Sequence, residues 1–178
     1  MSADPNGGVD NTFTMSGGTI RNSYYNDSEY PHIKDNGGAV YMEQGSFLMK
    51  GGEIKNCSGV NGGAVYIKGT DATTFTMEGG TISNSIADNH GGALYLEGGS
   101  VILKGGEIKG NLAKQGNGGG VCIVGGDFEM PQSSTAVIDA NSATSQNETG
   151  NGKGGGVYVS SFTTDVEVDI LGGTIEDN

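Results

Sequence analysis

The residues able to do chemistry are few, and their spacing decides what they are worth. Asp165, Glu167 and Asp169 alternate, so along an extended strand their carboxylates share one face. Paired carboxylates are what glycoside hydrolysis uses, and carboxylate oxygens are what calcium prefers. Asp127 and Glu129 repeat the alternation earlier in the chain. No column of two or three aspartates at one position of neighbouring repeats is legible. Arg21, the sole arginine, falls in an outward column with Lys55, Ser83 and Lys109. A solvated strand face is the preferred reading of these acids. His32 and His90 stand far apart in the repeat and form no metal set. The runs "GNGGGVCIV" and "NGKGGGVYV" lack the aspartate of calcium-binding nonapeptide repeats, and no Gly-Lys-Ser/Thr follows to make a phosphate loop. Neither a metal nor a cofactor is expected. Cys57 and Cys122 are too few for a disulfide framework, and about 10 Å of axial separation puts them beyond bonding reach.

Aromatic residues carry more signal. Tyr41, Tyr66, Tyr95 and Tyr158 recur at one outward position, flanked by Ala39, Ala64, Ala93 and Gly156. Cys122 takes the tyrosine position in the fourth repeat. An aromatic stripe beside a shelf of small residues stacks on sugars or anchors a protein partner; the same spacing also makes a self-stacking ladder. A second group lies in the insertion "SYYNDSEYPHIKD" (23–35), which holds Tyr24, Tyr25, Tyr30 and His32. The insertion at 142–153 lengthens the same corner four repeats later, while 69–74 and 160–165 lengthen another. Loops on a rigid scaffold are where recognition concentrates. These eight residues, the four stripe tyrosines and the four of the insertion, are the candidate ligand contacts.

What must position them is a repeat. Two phrases alternate. One reads "FTMSGGTI" (13–20), "FLMKGGEI" (47–54), "FTMEGGTI" (75–82), "VILKGGEI" (101–108) and "VDILGGTI" (168–175), with a worn copy in "FEMPQSSTAVI" (128–138). The other reads "GGAVYM", "GGAVYI", "GGALYL", "GGGVCI" and "GGGVYV". Measured between Val40, Val65, Leu94, Val121 and Val157, the steps are 25, 29, 27 and 36 residues. Such periods belong to solenoids, and the apolar residues alternate with period two, not 3.6. Three inward sets recur: Phe13 with Met15, Val40 with Met42, and Ile20 alone. The expectation is an all-β, right-handed, single-stranded parallel β-helix of about five to six coils of three short strands, one domain over 1–178.

Corners follow from residue type. Two places after each isoleucine stand Asn22, Asn56, Asn84, Gly110, Ala140 and Asp177, and all but Ala140 suit a left-handed turn. One place further, Ser23, Cys57, Ser85, Asn111, Asn141 and Asn178 form a small or polar column able to hydrogen-bond along the stack. Asn36, Asn61, His90, Asn117 and Lys153 form another. Outward charges alternate in Lys50, Glu78, Lys104 and in Glu43, Lys68, Glu97, which predicts ion pairs between coils.

Composition bounds the function. The 178 residues include 35 glycines and a formal net charge of −12. That charge disfavours nucleic acid and anionic membranes as partners. No apolar run is long enough to span a membrane, and "MSADPNGG" has neither the basic nor the apolar part of a signal peptide. Both ends fall in mid-phrase, so a segment of a longer repeat protein is expected, or end-to-end self-association through uncapped coils. Thr19, Glu53, Thr81 and Glu107 break the regular threonine ranks an ice-binding plane needs.

The paired phrases resemble the repeats of the chlamydial polymorphic membrane proteins and related bacterial β-helix surface proteins, whose signature is Gly-Gly-Ala-Ile/Leu/Val with Phe-x-x-Asn. The first element matches at 37–40, 62–65 and 91–94, with Gly for Ala at 118–121 and 154–157. The second matches with Ile for Phe at Ile108–Asn111, Ile138–Asn141 and Ile175–Asn178. The resemblance implies an extracellular or cell-surface passenger, a non-catalytic stalk and adhesin-like surface meeting a host protein or glycan. The alternative is a carbohydrate-active β-helix enzyme or binding module of the pectate-lyase type, with Asp165, Glu167 and Asp169 nearest to catalytic candidates.

Overall fold

The computed structural model describes residues 11–23, 35–145, 152–161 and 165–178. All its sheets are parallel, and successive strands of each come from successive repeats. The first sheet stacks Thr12–Met15, Ser46–Met49, Thr74–Met77, Ser100–Leu103, Gly126–Met130 and Val166–Ile170. The second stacks Thr19–Arg21, Glu53–Lys55, Thr81–Ser83, Glu107–Lys109, Val137–Asp139 and Thr174–Glu176. The third stacks Val40–Met42, Val65–Lys68, Leu94–Gly98, Val121–Ile123 and Val157–Val159. The chain is a parallel β-helix, and equivalent residues of the two phrases lie in register: Phe13 over Phe47, Phe47 over Phe75, Ile54 over Ile82, Val65 over Leu94.

A fourth sheet was not expected. It joins the two-residue strands Ser58–Gly59, Ile86–Ala87, Leu112–Ala113 and Ser142–Ala143. Its inward residues Gly59, Ala87 and Ala113 are small and buried, so this wall approaches the core closely. Two residues are too few to show alternation, which is why the full coils have four walls where the periodicity predicts three.

Burial of the inward columns drives the stacking. Phe47, Met49, Ile54, Val65, Phe75, Leu94, Leu103, Ile108 and Phe128 are all at most 1% exposed. Phe13 and Phe47 stack with centroids 4.7 Å apart, and Phe47 and Phe75 lie 5.0 Å apart. Each such side chain contributes roughly 1.5–3 kcal/mol on burial.

The Gly-Gly pairs have a packing role as well as a conformational one. Met15 Cε lies over Gly52, Met49 over Gly80, Met77 over Gly106 and Met130 over Gly173. At Gly80, with φ +90°, an added Cβ would sit 2.7 Å from the Met49 methyl. Only a residue without Cβ admits that knob and adopts that backbone. The worn copy shows the compensation: Ala136 replaces the glycine above Leu103, and there the methionine has been replaced by the shorter leucine.

The corner residues Asn22, Asn56, Asn84, Gly110 and Asp177 adopt positive φ as expected, between 49° and 63°. Ala140 corrects the expectation, for it too is left-handed, at φ 52°. Asp139 and Ile138 before it and Ser142 after it are locked in register with neighbouring coils, so the turn is imposed from both sides.

Charge columns pair less than their signs suggest. Lys68 and Glu97 lie 3.7 Å apart, but among the described residues Lys50, Glu78 and Lys104 form no ion pair. Lys55 pairs with Glu53 and Lys109 with Glu107 along their own strands, and Lys114 reaches Asp88 at 3.5 Å. The long side chains reach sideways to a same-face neighbour as easily as to the next coil.

Candidate functional site

The third sheet presents the tyrosine stripe because alternation sends Tyr41, Tyr66, Tyr95 and Tyr158 outward while valine, leucine and isoleucine point in. Register places Tyr41 on Tyr66, Tyr66 on Tyr95, Tyr95 on Cys122 and Cys122 on Tyr158. The rings stack: Tyr41 and Tyr66 at 5.1 Å and 16°, Tyr66 and Tyr95 at 5.3 Å and 1°. The Tyr66 hydroxyl donates to the Glu97 carboxylate, which also faces Lys68, and the Tyr41 hydroxyl donates to Glu43 Oε1 at 3.3 Å.

Exposure differs along the stripe. Tyr41 is 47% exposed and Tyr66 only 4%. Tyr95 and Tyr158 are half-buried. The expected shelf is closed at Ala64 and Ala93, which are fully buried, and half-buried at Ala39. Burial, helped by the Glu97 hydrogen bond, pushes the Tyr66 hydroxyl far above the usual phenol range. Tyr95 is pushed up to about 12, first by burial and then by Cys122 and Glu97. Slight burial and Glu43 raise Tyr41. Tyr41, Tyr66 and Tyr95 are therefore an uncharged aromatic stack over the physiological range, and its accessible end is Tyr41.

Tyr41 borders a hollow of about 410 Å³ with Thr12, Phe13, Val40 and Met42. An adjoining hollow of about 620 Å³ is lined by Asn11, Glu43, Gln44, Lys68 and Thr73. Thr73, 1% exposed, anchors the 69–74 insertion by donating its hydroxyl to the Glu43 carbonyl at 3.2 Å. Tyr24, Tyr25, Tyr30 and His32 lie outside the described residues.

The acids fall at matching positions of neighbouring coils. Glu167 lies in register with Asp127 and Asp169 with Glu129, giving a two-by-two carboxylate patch on the first sheet. Asp127, Glu167 and Asp169 are exposed and Glu129 half-buried on a flat strand face, and Asp165 is exposed beside them. The pairing is the one that aligning Phe128 with Val168 in the repeat implies. Among the described residues no group of three or more His, Cys, Asp or Glu is disposed to hold a metal. Cys57 and Cys122 are free and buried; burial raises both thiols, Cys122 to about 12, which keeps them in the unreactive protonated form.

His90 keeps the place in the polar ladder that its spacing predicts. It occupies the Asn36–Asn61–Asn117 column, and its Nδ1 accepts the Asn117 N–H at 3.0 Å. That bond fixes the neutral tautomer with its proton on Nε2. No family model matches this sequence, and neither a curated protein nor a solved structure matches it.

Proposed function

We propose that this chain is a non-catalytic β-helix segment of a bacterial surface or secreted protein, acting as a stalk that presents a binding face to a host protein or glycan. The observation that carries the reading is the unbroken register of the first sheet through six strands, a rigid spacer of roughly 24 Å. An exposed aromatic, Tyr41, stands beside a hollow at one end of the stripe, where a sugar ring or an apolar side chain fits. No helix of the described residues is long and apolar enough to cross a membrane.

The test has two arms. Antibody labelling of intact cells should reach this segment, and labelling only after lysis removes the surface role. Binding to a glycan array or to host cells should fall at least fivefold for Tyr41→Ser, while Tyr66→Ser, at a buried ring, should act only through stability. Equal binding by wild type and Tyr41→Ser removes the contact role. The carboxylate patch favours one other reading, a carbohydrate-active module. Release of reducing ends or unsaturated products from acidic polysaccharide, abolished by Glu167→Gln with Asp169→Asn, would support it instead.

A further inference from the structure

We infer that the tyrosine ladder holds a site of oxidative cross-linking: one-electron oxidation driven by peroxide joins Tyr66 to Tyr95 through a carbon–carbon bond and staples the second repeat to the third. The geometry is that of two reactants held in contact. Tyr66 and Tyr95 are register partners on adjacent strands, and the flanking pairs, Val65 with Leu94 and Ile67 with Leu96, are fully buried. The backbone is thereby fixed, and the two phenol rings lie parallel within 1° with centroids 5.3 Å apart. The remaining approach falls to side-chain rotation. Holding both rings in one geometry turns a bimolecular encounter into an intramolecular step.

The proton has an acceptor in place. The Tyr66 hydroxyl donates to the Glu97 carboxylate, and Glu97 stands two residues beyond Tyr95 on the same outward face. Lys68 lies 3.7 Å from that carboxylate. A phenol yields an electron more readily when its proton leaves at the same time, and Glu97 is the base that receives it. Access comes through Tyr95, which is half-buried where Tyr66 is 4% exposed. The oxidant takes an electron from Tyr95, the stacked contact passes the vacancy to Tyr66, and a second oxidation of Tyr95 leaves two adjacent radicals.

The co-reactant is hydrogen peroxide acting through a haem peroxidase. Each phenol gives up one electron and its hydroxyl proton. The radicals join at ring carbons ortho to oxygen, and the two hydrogens on those carbons move to oxygen and restore the phenols. In sum two C–H bonds are lost, one C–C bond forms, and one peroxide is reduced to two waters. The other tyrosines are less well placed. The Tyr41 ring is tilted 16° from Tyr66, and its hydroxyl donates to Glu43. Cys122 interrupts the ladder after Tyr95, so Tyr158 stands two steps away, about 9.6 Å. The link closes a loop between coils and restricts the unfolded chain as a disulfide does.

The test is treatment of the purified 178-residue chain with hydrogen peroxide and a haem peroxidase at low micromolar concentration. After trypsin, peptides 56–68 and 69–104 should remain joined, at the sum of their masses less two hydrogen atoms, with dityrosine fluorescence in the monomer band. The oxidised monomer should melt several degrees higher than the untreated one. Tyr95→Phe and Tyr66→Phe should each abolish the joined pair, and Tyr158→Phe should leave its yield unchanged. Glu97→Gln keeps an oxygen for the Tyr66 hydroxyl but is a poor base, and should slow the appearance of the joined pair about tenfold. The same rate in Glu97→Gln overturns the proton route through Glu97. A folded wild-type chain that gives no joined pair, or gives no more of it than the chain unfolded in urea, overturns the proposal.

Discussion

Two polar columns run along this molecule, and they are built differently. In the corner after the second sheet, Ser85, Asn111 and Asn141 are at most 2% exposed. There the N–H of one coil donates to the side chain of the next: Cys57 to Ser85, Ser85 to Asn111, Asn111 to Asn141, Asn141 to Asn178. The amide groups also turn back. Asn111 Nδ2 donates to the Ile82 carbonyl at 3.1 Å, and Asn141 Nδ2 to the Ile108 carbonyl at 2.9 Å. Before the third sheet the polarity is reversed. There the N–H of Asn61 donates back to Asn36, that of His90 to Asn61, that of Asn117 to His90 and that of Lys153 to Asn117. This column is more exposed at Asn36, Asn61, His90 and Lys153, and it accepts a histidine and a lysine. The lesson is that burial sets the tolerance. A buried column needs side chains that satisfy every polar group around them, because an orphaned buried group costs about 1–3 kcal/mol. A half-exposed column lets water complete the bonding.

The largest expected effect breaks the buried column. Asn111→Ala leaves the buried Ser85 N–H without its acceptor and removes the amide bond to the Ile82 carbonyl, and should lower unfolding free energy by about 1–3 kcal/mol in urea titration. Asn61→Ala, the matched change in the exposed column, should cost about 1 kcal/mol in the same titration. Equal losses at the two sites would show that burial does not separate them. Ala140→Asn, next to the buried column, gives the left-handed corner a residue that tolerates it and should stabilise by about 0.5–1 kcal/mol.

The smallest effect is a pH dependence confined to the exposed column. Burial lowers the His90 pKa from its ordinary value of about 6.5. The unfolded chain therefore binds this proton more readily, and stability is complete above that value and falls as the pH drops below it. The protonated ring can no longer accept the Asn117 N–H. His90→Asn keeps an acceptor and does not titrate, so the difference in melting temperature between the two proteins should widen from pH 7.5 to 5.5, by a few degrees at most. A constant difference would rule out this role for the ring.

Much of this was legible because the repeat states it several times. Phe13, Phe47, Phe75 and Phe128 recur at one phase of an alternation, and a column that repeats at coil spacing has few alternatives to stacking. Both polar columns were readable for the same reason. The fourth wall was not, because Ser58–Gly59 and its equivalents have two residues and no period. Tyr41 and Tyr66 occupy identical places in the phrase, yet one is half exposed and the other buried. Phase assigns a side chain to the outer face without saying what lies over that face. Ala140 failed by local preference, because the strands on either side impose its turn.

Sequence by itself determined the parallel coil, its inward columns, its glycine corners and its acidic surface, since each depends on residue type repeated at fixed phase. Tertiary structure alone decided the covering of Tyr66, the fourth wall and the neutral tautomer of His90. Those depend on which coil lies next to which and on what lies over each face. Irregular insertions make that neighbour relation independent of distance along the chain.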